Sequence, residues 1–235
     1  MHRKILRRAL ALLTLFSVEI IFIWVVFLGS LLIFSKVVGE VFIEKEQGFE
    51  AKAFAFTSHI ASPMMTQTML GISLLASVEF ISGVAAGIFV YFLFIRKHAW
   101  YSLRIPVVAL GSISLNLIMK WLFDRPRPAL EHLTEVSGLS FPSGHAMMSF
   151  SFYGLLIYLI FENIKNRSLR YVLCFVLLIL MHLIGLSRVY LHVHYASDVL
   201  AGFALGTVWL IICLFILKKI ENYSKSKLDP VIESE

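Results

Sequence analysis

The hydrophobic positions of this chain fall in blocks. Six apolar runs stand out, at about 9–35, 68–95, 105–123, 143–161, 170–187 and 197–217, and polar residues gather between them. Most are near the length of about 20 residues that carries a helix across the hydrocarbon of a bilayer. In lipid a backbone must satisfy its own N–H and C=O groups, so such runs are expected as helices. The pattern predicts an all-α fold: a polytopic membrane protein with a six-transmembrane-helix bundle, a single domain over 1–235. The first run follows a basic start, as in a signal peptide. It is too long for one and lacks a small-residue cleavage site, so it is expected to stay as the first span.

The outer loop 36–67 has a pattern of its own. Phe49, Ala53, Phe56 and Ile60 recur at helical spacing, with Glu46, Glu50 and Ser58 elsewhere. This predicts a short amphipathic helix lying at the interface. It would be either a gate where a lipid enters or a connector resting on the membrane. Glu19 in the first run and Glu79 in the second are acids in apolar surroundings. They are expected to pair with polar groups across the bundle, with a functional role as the alternative.

Composition agrees with the block pattern: 59% hydrophobic, 15% charged, mean hydropathy +0.83. The net charge of +6 does not imply a nucleic-acid partner, because the basic residues lie in the gaps between apolar blocks. Their distribution instead sets orientation. Arg3, Lys4, Arg7 and Arg8, then Arg96, Lys97 and Arg104, then Lys165, Arg167 and Arg170, then Lys218, Lys219, Lys225 and Lys227 occupy one side, fourteen of the 21 Lys and Arg. The positive-inside rule puts that side, both termini and the 220–235 tail in the cytoplasm, and 36–67, 124–142 and 188–196 outside. Cys174 and Cys213 fall inside apolar runs and read as small buried or lipid-facing residues, with no disulfide framework.

Three outward stretches carry the candidate chemistry. Lys120 to Pro128 holds Lys120, Arg125 and Arg127, and Pro126 and Pro128 end the helix. Arginine offers a planar fork that matches phosphate oxygens, and lysine a point charge. Cations meeting lipid headgroups are the plainer alternative, yet this is the side that should be poor in them. Phe141 to His145 reads as a helix start with Ser143 as N-cap, and a helix N-terminus suits an anion. Gly144 permits close backbone approach, and His145 stands in the first turn. Ser187 to Asp198 carries Arg188, then His194 and Asp198 four residues apart and so on one helix face. Asp198 can accept from one ring nitrogen and leave the other with its lone pair aimed outward. His192 opens a metal alternative with His194 and Asp198, opposed by the nearby cations. His182 is expected as a buried, hydrogen-bonded histidine. Cations, a helix N-terminus, two histidines and an aspartate together suit phosphoryl transfer.

These residues resemble the signature of the phosphatidic acid phosphatase type 2 family, whose core is similar to that of vanadium haloperoxidases. The signature's three parts are Lys-x6-Arg-Pro, Pro-Ser-Gly-His and Ser-Arg-x5-His-x3-Asp. Here they fall at Lys120 to Arg127-Pro128, at Pro142 to His145, and at Ser187-Arg188 to His194 to Asp198. The resemblance implies a catalytic core over 120–198 and a hydrolase that needs no metal or other cofactor. Its substrate would be a lipid phosphate or diphosphate in the membrane: undecaprenyl diphosphate, phosphatidylglycerol phosphate or phosphatidic acid. His194 would attack phosphorus to form a phosphohistidine, Asp198 would orient its ring, and His145 would protonate the leaving oxygen. Lys120, Arg127, Ser143, Gly144 and Arg188 would hold the phosphate. The resemblance gives no role to Arg125. Rival readings are a lipid phosphotransferase, a vanadate-dependent peroxidase and a non-catalytic lipid-binding relative.

Overall fold

The computed structural model describes residues 18–45 and 48–227. Arg3, Lys4, Arg7, Arg8, the start of the expected first span, Glu46, the side chains of Glu19 and Lys227, and the end of the 220–235 tail lie outside the described residues. The described chain is helical without strands. Its α-helices are α1 (Val18–Val38), α2 (Gly48–His59), α3 (Pro63–Leu74), α4 (Val78–Val90), α5 (Ala99–Phe123), α6 (Gly144–Met148), α7 (Gly154–Asn163), α8 (Arg167–Tyr190) and α9 (Ala196–Lys227). Wider π-helical turns extend α1 over Gly39–Glu44 and α4 over Tyr91–Ile95, and join α6 to α7 through Ser149–Tyr153. Six helical stretches are long and apolar enough to cross a membrane: Ile20–Glu44, Val78–Ile95, Ala99–Phe123, Gly144–Asn163, Arg167–Tyr190 and Ala196–Ser226.

Helix α9 is the pillar of the bundle, packed against α1, α5 and α6. Val108, Phe152, Leu155 and Ile184 form the sealed centre, while Phe22, Leu32, Leu110, Phe175 and Phe215 face outward. Apolar side chains on the outside suit a lipid surround. In lipid, however, apolar contact gives helices little reason to choose each other, so close backbone approach between small residues must supply the packing. Gly202 and Gly206 supply it here. A Cβ at Gly202 would lie 2.7 Å from the Ser143 carbonyl oxygen, and one at Gly206 would lie 2.4 Å from that of Met147. The two glycines, four residues apart, let α9 run directly along α6. At the other end of the bundle, buried Arg104 on α5 donates to buried Glu221 on α9 at 2.6 Å, with its guanidinium 5.1 Å from the Tyr101 ring and 5.5 Å from that of Tyr158.

Five expectations change in detail. The first span continues past 35 to Glu44, because Phe34, Val38, Val41 and Phe42 pack with Phe123 and Phe141. The run 68–95 is two helices: the chain turns at Leu75–Ser77, and the Ser77 hydroxyl accepts from the Phe80 amide at 3.1 Å to start α4. Glu79 lies exposed in the first turn of α4, where a negative charge suits the helix end, and does not pair across the bundle. The interfacial helix exists as α2, but Phe49 and Phe56 face outward and Glu50 faces inward, buried. His182 is exposed, with Nδ1 2.8 Å from the Leu178 carbonyl of its own helix.

The α6–α9 contact makes a prediction. Gly206→Val drives two methyl groups into the Met147 carbonyl, and overpacking of this kind costs about 1–3 kcal/mol. The variant should unfold at a lower temperature in detergent than wild type and lose most of its turnover, whereas Leu200→Val on the exposed side of α9 should change neither. Wild-type unfolding and turnover in Gly206→Val would show that the two backbones do not meet.

Candidate active site

Each motif stretch begins where a helix is forced to stop or start. Helix α5 ends at Asp124, whose left-handed backbone (φ 43°) returns its amide to the Lys120 carbonyl at 3.0 Å. Pro126 and Pro128 forbid further helix, and the loop folds back so that the Ser140 amide reaches the Arg125 carbonyl at 2.8 Å. Helix α6 opens after extended Ser143. Helix α8 ends in a tight turn, with His192 left-handed (φ 59°) and the amides of Val193 and His194 both on the Arg188 carbonyl, at 3.2 and 3.3 Å. That turn hands the chain to α9 with His194 and Asp198 on one face.

The three stretches meet at Asp198. Its Oδ1 accepts from Arg125 Nη1 at 2.6 Å. Its Oδ2 accepts from the Tyr195 amide at 2.9 Å and from the Ser140 hydroxyl, and lies 3.4 Å from His194 Nδ1. Its backbone carbonyl accepts from the Ser143 amide at 3.0 Å. Because Ser140 Oγ gives its proton to Asp198, it can accept from His194 Nδ1, 3.3 Å away. This arrangement places the ring proton on Nδ1 and leaves a lone pair on Nε2. Nε2 faces Arg127 Nη1 at 3.3 Å. Burial pushes the His194 ring down to about 4, and the opposing pull of the Asp198 carboxylate does not offset it, so the ring is neutral at neutral pH.

Arg127 is held by three loop carbonyls: Nε donates to Gly138 at 2.9 Å, Nη2 to Ser137 at 2.9 Å and Nη1 to Val193 at 2.6 Å. The second Nη1 proton is the one directed at His194. Burial lowers the Arg127 guanidinium from its ordinary value, and Asp198 works against that shift. Lys120 Nζ donates to the Leu139 carbonyl and stands within electrostatic reach of Arg127, Asp198 and Arg188. Arg188 donates from Nη1 to the Ser73 hydroxyl on α3, and its buried Nε has no partner among the described residues. The Ser143 hydroxyl is also buried and, among the described residues, without a partner. Ser143 holds the N-cap position, but its side chain makes no capping bond, which leaves the hydroxyl available to a ligand. His145 is half-buried in the first turn of α6, within electrostatic reach of Arg188, His194, Arg127 and Lys120. At Gly144 a Cβ would press on Asn116 Oδ1 at 3.0 Å, and Asn116 Nδ2 holds the Pro142 carbonyl at 3.1 Å. All eight signature residues thus gather at one end of the bundle. Spare donors beside an imidazole nitrogen that carries a lone pair suit an anion that undergoes nucleophilic attack.

His192 does not join them. Its Nδ1 lies 3.0 Å from the Glu131 carbonyl and its ring packs 5.8 Å from Phe54. Among the described residues, no three His, Cys, Asp or Glu side chains form a group that could hold a metal ion. Sequence reasoning missed Arg125, Ser140, Ser197 and Glu50. Arg125 carried a signal, being a third cation inside the first stretch, but the family pattern skips it. Ser140 precedes the second motif and Ser197 is a variable position inside the third, neither with any distinguishing spacing. Beside this network a cleft of about 750 Å³ opens between the end of α1, α2 and the loop after α5, lined by Phe42, Glu50, Phe54, Phe123, Arg125 and Tyr195 among others.

Comparison with known proteins places these features in context. The family model described as the PAP2 superfamily matches residues 101–221. Phosphatidylglycerophosphatase B of Bacillus subtilis (strain 168) is 31% identical over 172 residues, covering 70% of this chain and 81% of that protein. The crystal structure of a transmembrane PAP2-type phosphatidylglycerolphosphate phosphatase from Bacillus subtilis matches with a TM-score of 0.77 and 26% identity, over 83% of this chain and 98% of the other. Aquifex aeolicus LpxE shares the fold, with a TM-score of 0.55 and 23% identity over 70% of this chain and 94% of its own.

Two measurements check the geometry. Ser140→Ala leaves His194 Nδ1 with a single long contact, so kcat should fall about tenfold with KM little changed, since the hydroxyl orients the ring without holding substrate. An unchanged kcat would remove Ser140 from the site. The second concerns acid. His194 titrates at about 4 when folded and near 6.5 when unfolded, so the unfolded chain takes up the proton first. Its share of stability is complete above about 6.5 and is lost as pH falls through that window towards 4. In thermal unfolding, His194→Gln should therefore lose less stability than wild type between pH 7 and 4.5, and an equal loss would contradict the buried neutral ring.

Proposed function

The chain belongs to the PAP2 superfamily, and from that premise we propose that it hydrolyses a lipid phosphate monoester, with phosphatidylglycerol phosphate as its principal substrate, through a phosphohistidine on His194. Membership makes it a membrane-embedded phosphatase. The substrate reading rests on the relative named phosphatidylglycerophosphatase B, which matches most of this chain. The observation that carries the mechanism is the orientation of His194: Nδ1 is engaged by Asp198 and Ser140, and Nε2 faces the Arg127 guanidinium at 3.3 Å.

The steps follow from that orientation. The phosphate enters among Lys120, Arg127, Arg188 Nε, the Ser143 hydroxyl and the first-turn amides at Gly144. A phosphate oxygen replaces His194 Nε2 as the acceptor of the Arg127 Nη1 hydrogen bond. Nε2 attacks phosphorus, an N–P bond forms, the ester P–O bond breaks, and His145 gives its proton to the departing lipid alkoxide. The imidazole gains positive charge as it is phosphorylated, and the Asp198 carboxylate stabilises that charge. Water then attacks phosphorus, His145 takes its proton, the N–P bond breaks and inorganic phosphate leaves. The cations supply the charge stabilisation, so this reading needs no metal. The acyl chains stay in the membrane, with only the headgroup reaching the motif end.

We assign that end to the outer face. Arg96, Lys97, Lys165, Arg167, Arg170, Lys218, Lys219 and Lys225 all lie towards the opposite end of the spans, which the positive-inside rule places in the cytoplasm.

The test is a phosphate-release panel on purified protein in nanodiscs with chelator present, offering phosphatidylglycerol phosphate, phosphatidic acid and undecaprenyl diphosphate. The first should turn over fastest. His194→Ala should release no phosphate while remaining folded, and rapid acid-free quenching of wild type with labelled lipid should trap phosphate on His194. Normal turnover in His194→Ala rules out the phosphohistidine, and label found on a second lipid in place of free phosphate identifies a phosphotransferase.

A further inference from the structure

Glu50 is the most deeply buried carboxylate that the mechanism above leaves unused on this side of the bundle. It lies on α2, the helix whose other face presents Phe49 and Phe56 outward, yet its own side chain is only 8% exposed. Its Oε2 accepts from the amides of Ala196 at 2.8 Å and Ser197 at 3.4 Å, the opening amides of α9. Its Oε1 accepts from the Ser197 hydroxyl and stands 3.5 Å from Arg125 Nη2. Arg125 in turn donates from Nη1 to Ser197 Oγ at 2.8 Å and to Asp198 Oδ1 at 2.6 Å, with its guanidinium 4.0 Å from the Tyr195 ring centre. An unbroken chain of contacts thus runs from α2 through Arg125 to the carboxylate beside His194.

The chemistry of that chain has a direction. Asp198 must keep its negative charge available to the imidazole, which becomes cationic as it takes the phosphoryl group. Arg125, bonded directly to Asp198, draws on that charge. A buried guanidinium answered by one carboxylate would weigh on it fully, whereas a second carboxylate on its far side shares the load. Glu50 occupies that place. It also fixes the start of α9, and so the angle at which Asp198 meets His194.

We propose that Glu50 is a positioning residue for the phosphoryl-transfer step: it holds Arg125 and the first amides of α9 so that Asp198 stays aligned with, and charged towards, His194. This makes α2 a part of the catalytic apparatus. The proposal rests on the phosphohistidine reading for its kinetic consequence, though not for its geometry.

Glu50→Gln keeps the size and a hydrogen-bond acceptor but removes the charge. In full-length protein in nanodiscs it should lower kcat for the lipid monophosphate about tenfold or more, with KM within about twofold, because the interaction strengthens only as the imidazole gains charge. Glu50→Asp should recover part of the loss. Because Glu50 acts through Arg125, adding Arg125→Gln to Glu50→Gln should cost much less than Arg125→Gln costs alone. The activity-independent readout is the 15N spectrum of the His194 ring. Wild type should show one neutral tautomer protonated on Nδ1, and Glu50→Ala should show a mixture. Unchanged kcat in Glu50→Gln, multiplying losses in the double variant, or an unchanged His194 tautomer in Glu50→Ala would each overturn the proposal. If wild type released no phosphate at all, the functional reading would fail and the tautomer would still decide the role of Glu50.

Discussion

A single buried carboxylate organises this protein's chemistry. Asp198 is inaccessible to solvent, and a buried charge must be answered by donors or it does not stay charged. The donors come from three separate parts of the chain: Arg125 from the loop after α5, Ser140 from just before α6, and the Tyr195 amide with the His194 ring from the turn before α9. The backbone of the same residue takes the Ser143 amide that begins α6. Satisfying one aspartate therefore pulls together three stretches that are up to 73 residues apart. The requirement that closes the fold at this end of the bundle also sets the orientation of His194.

That convergence depends on how near α6 and α9 come. Gly202 and Gly206 allow the backbones to touch where any side chain would hold them apart. The depth of the contact places Ser143, at the start of α6, against Asp198, at the start of α9. At the opposite end the Arg104–Glu221 pair ties α5 to α9. Helices that bear the site are thus fixed at both ends, by backbone proximity near the chemistry and by a buried ion pair away from it.

The span count and the meeting of the three motif stretches at one end of the bundle were legible in the sequence, because apolar block length and motif spacing are local properties. What was not legible depended on partners. Hydropathy reads 68–95 as one span because the break at Leu75–Ser77 introduces only one polar residue, whose hydroxyl then caps the next helix. The α2 stripe of Phe49 and Phe56 was visible, but periodicity alone cannot say which side meets the protein. In water the apolar face turns inward, while at a membrane interface it turns outward, and Glu50 is carried inside. Arg125 stood in plain view among cations. Its role exists only with Asp198, Ser197 and Glu50 around it, none of them near it in sequence.

The cations of the site carry two duties that cannot be separated by simple deletion. Arg127 is anchored to the Ser137, Gly138 and Val193 carbonyls and Lys120 to that of Leu139, so both fold the loop between α5 and α6 before any substrate arrives. In a region of low dielectric this helps to make like charges tolerable: carbonyl dipoles and Asp198 answer Arg127 and Lys120, and Asp198 and Glu50 answer Arg125. Arg188 differs: among the described residues its side chain donates to Ser73 on α3, and its buried Nε has no partner. Removing Arg127 would release three loop carbonyls together, whereas Arg188 is tied to a different element, α3. The broken second span acquires a reason by the same argument: the break allows α3 to bring Ser73 to Arg188, and a straight helix continuing α4 would follow a different path.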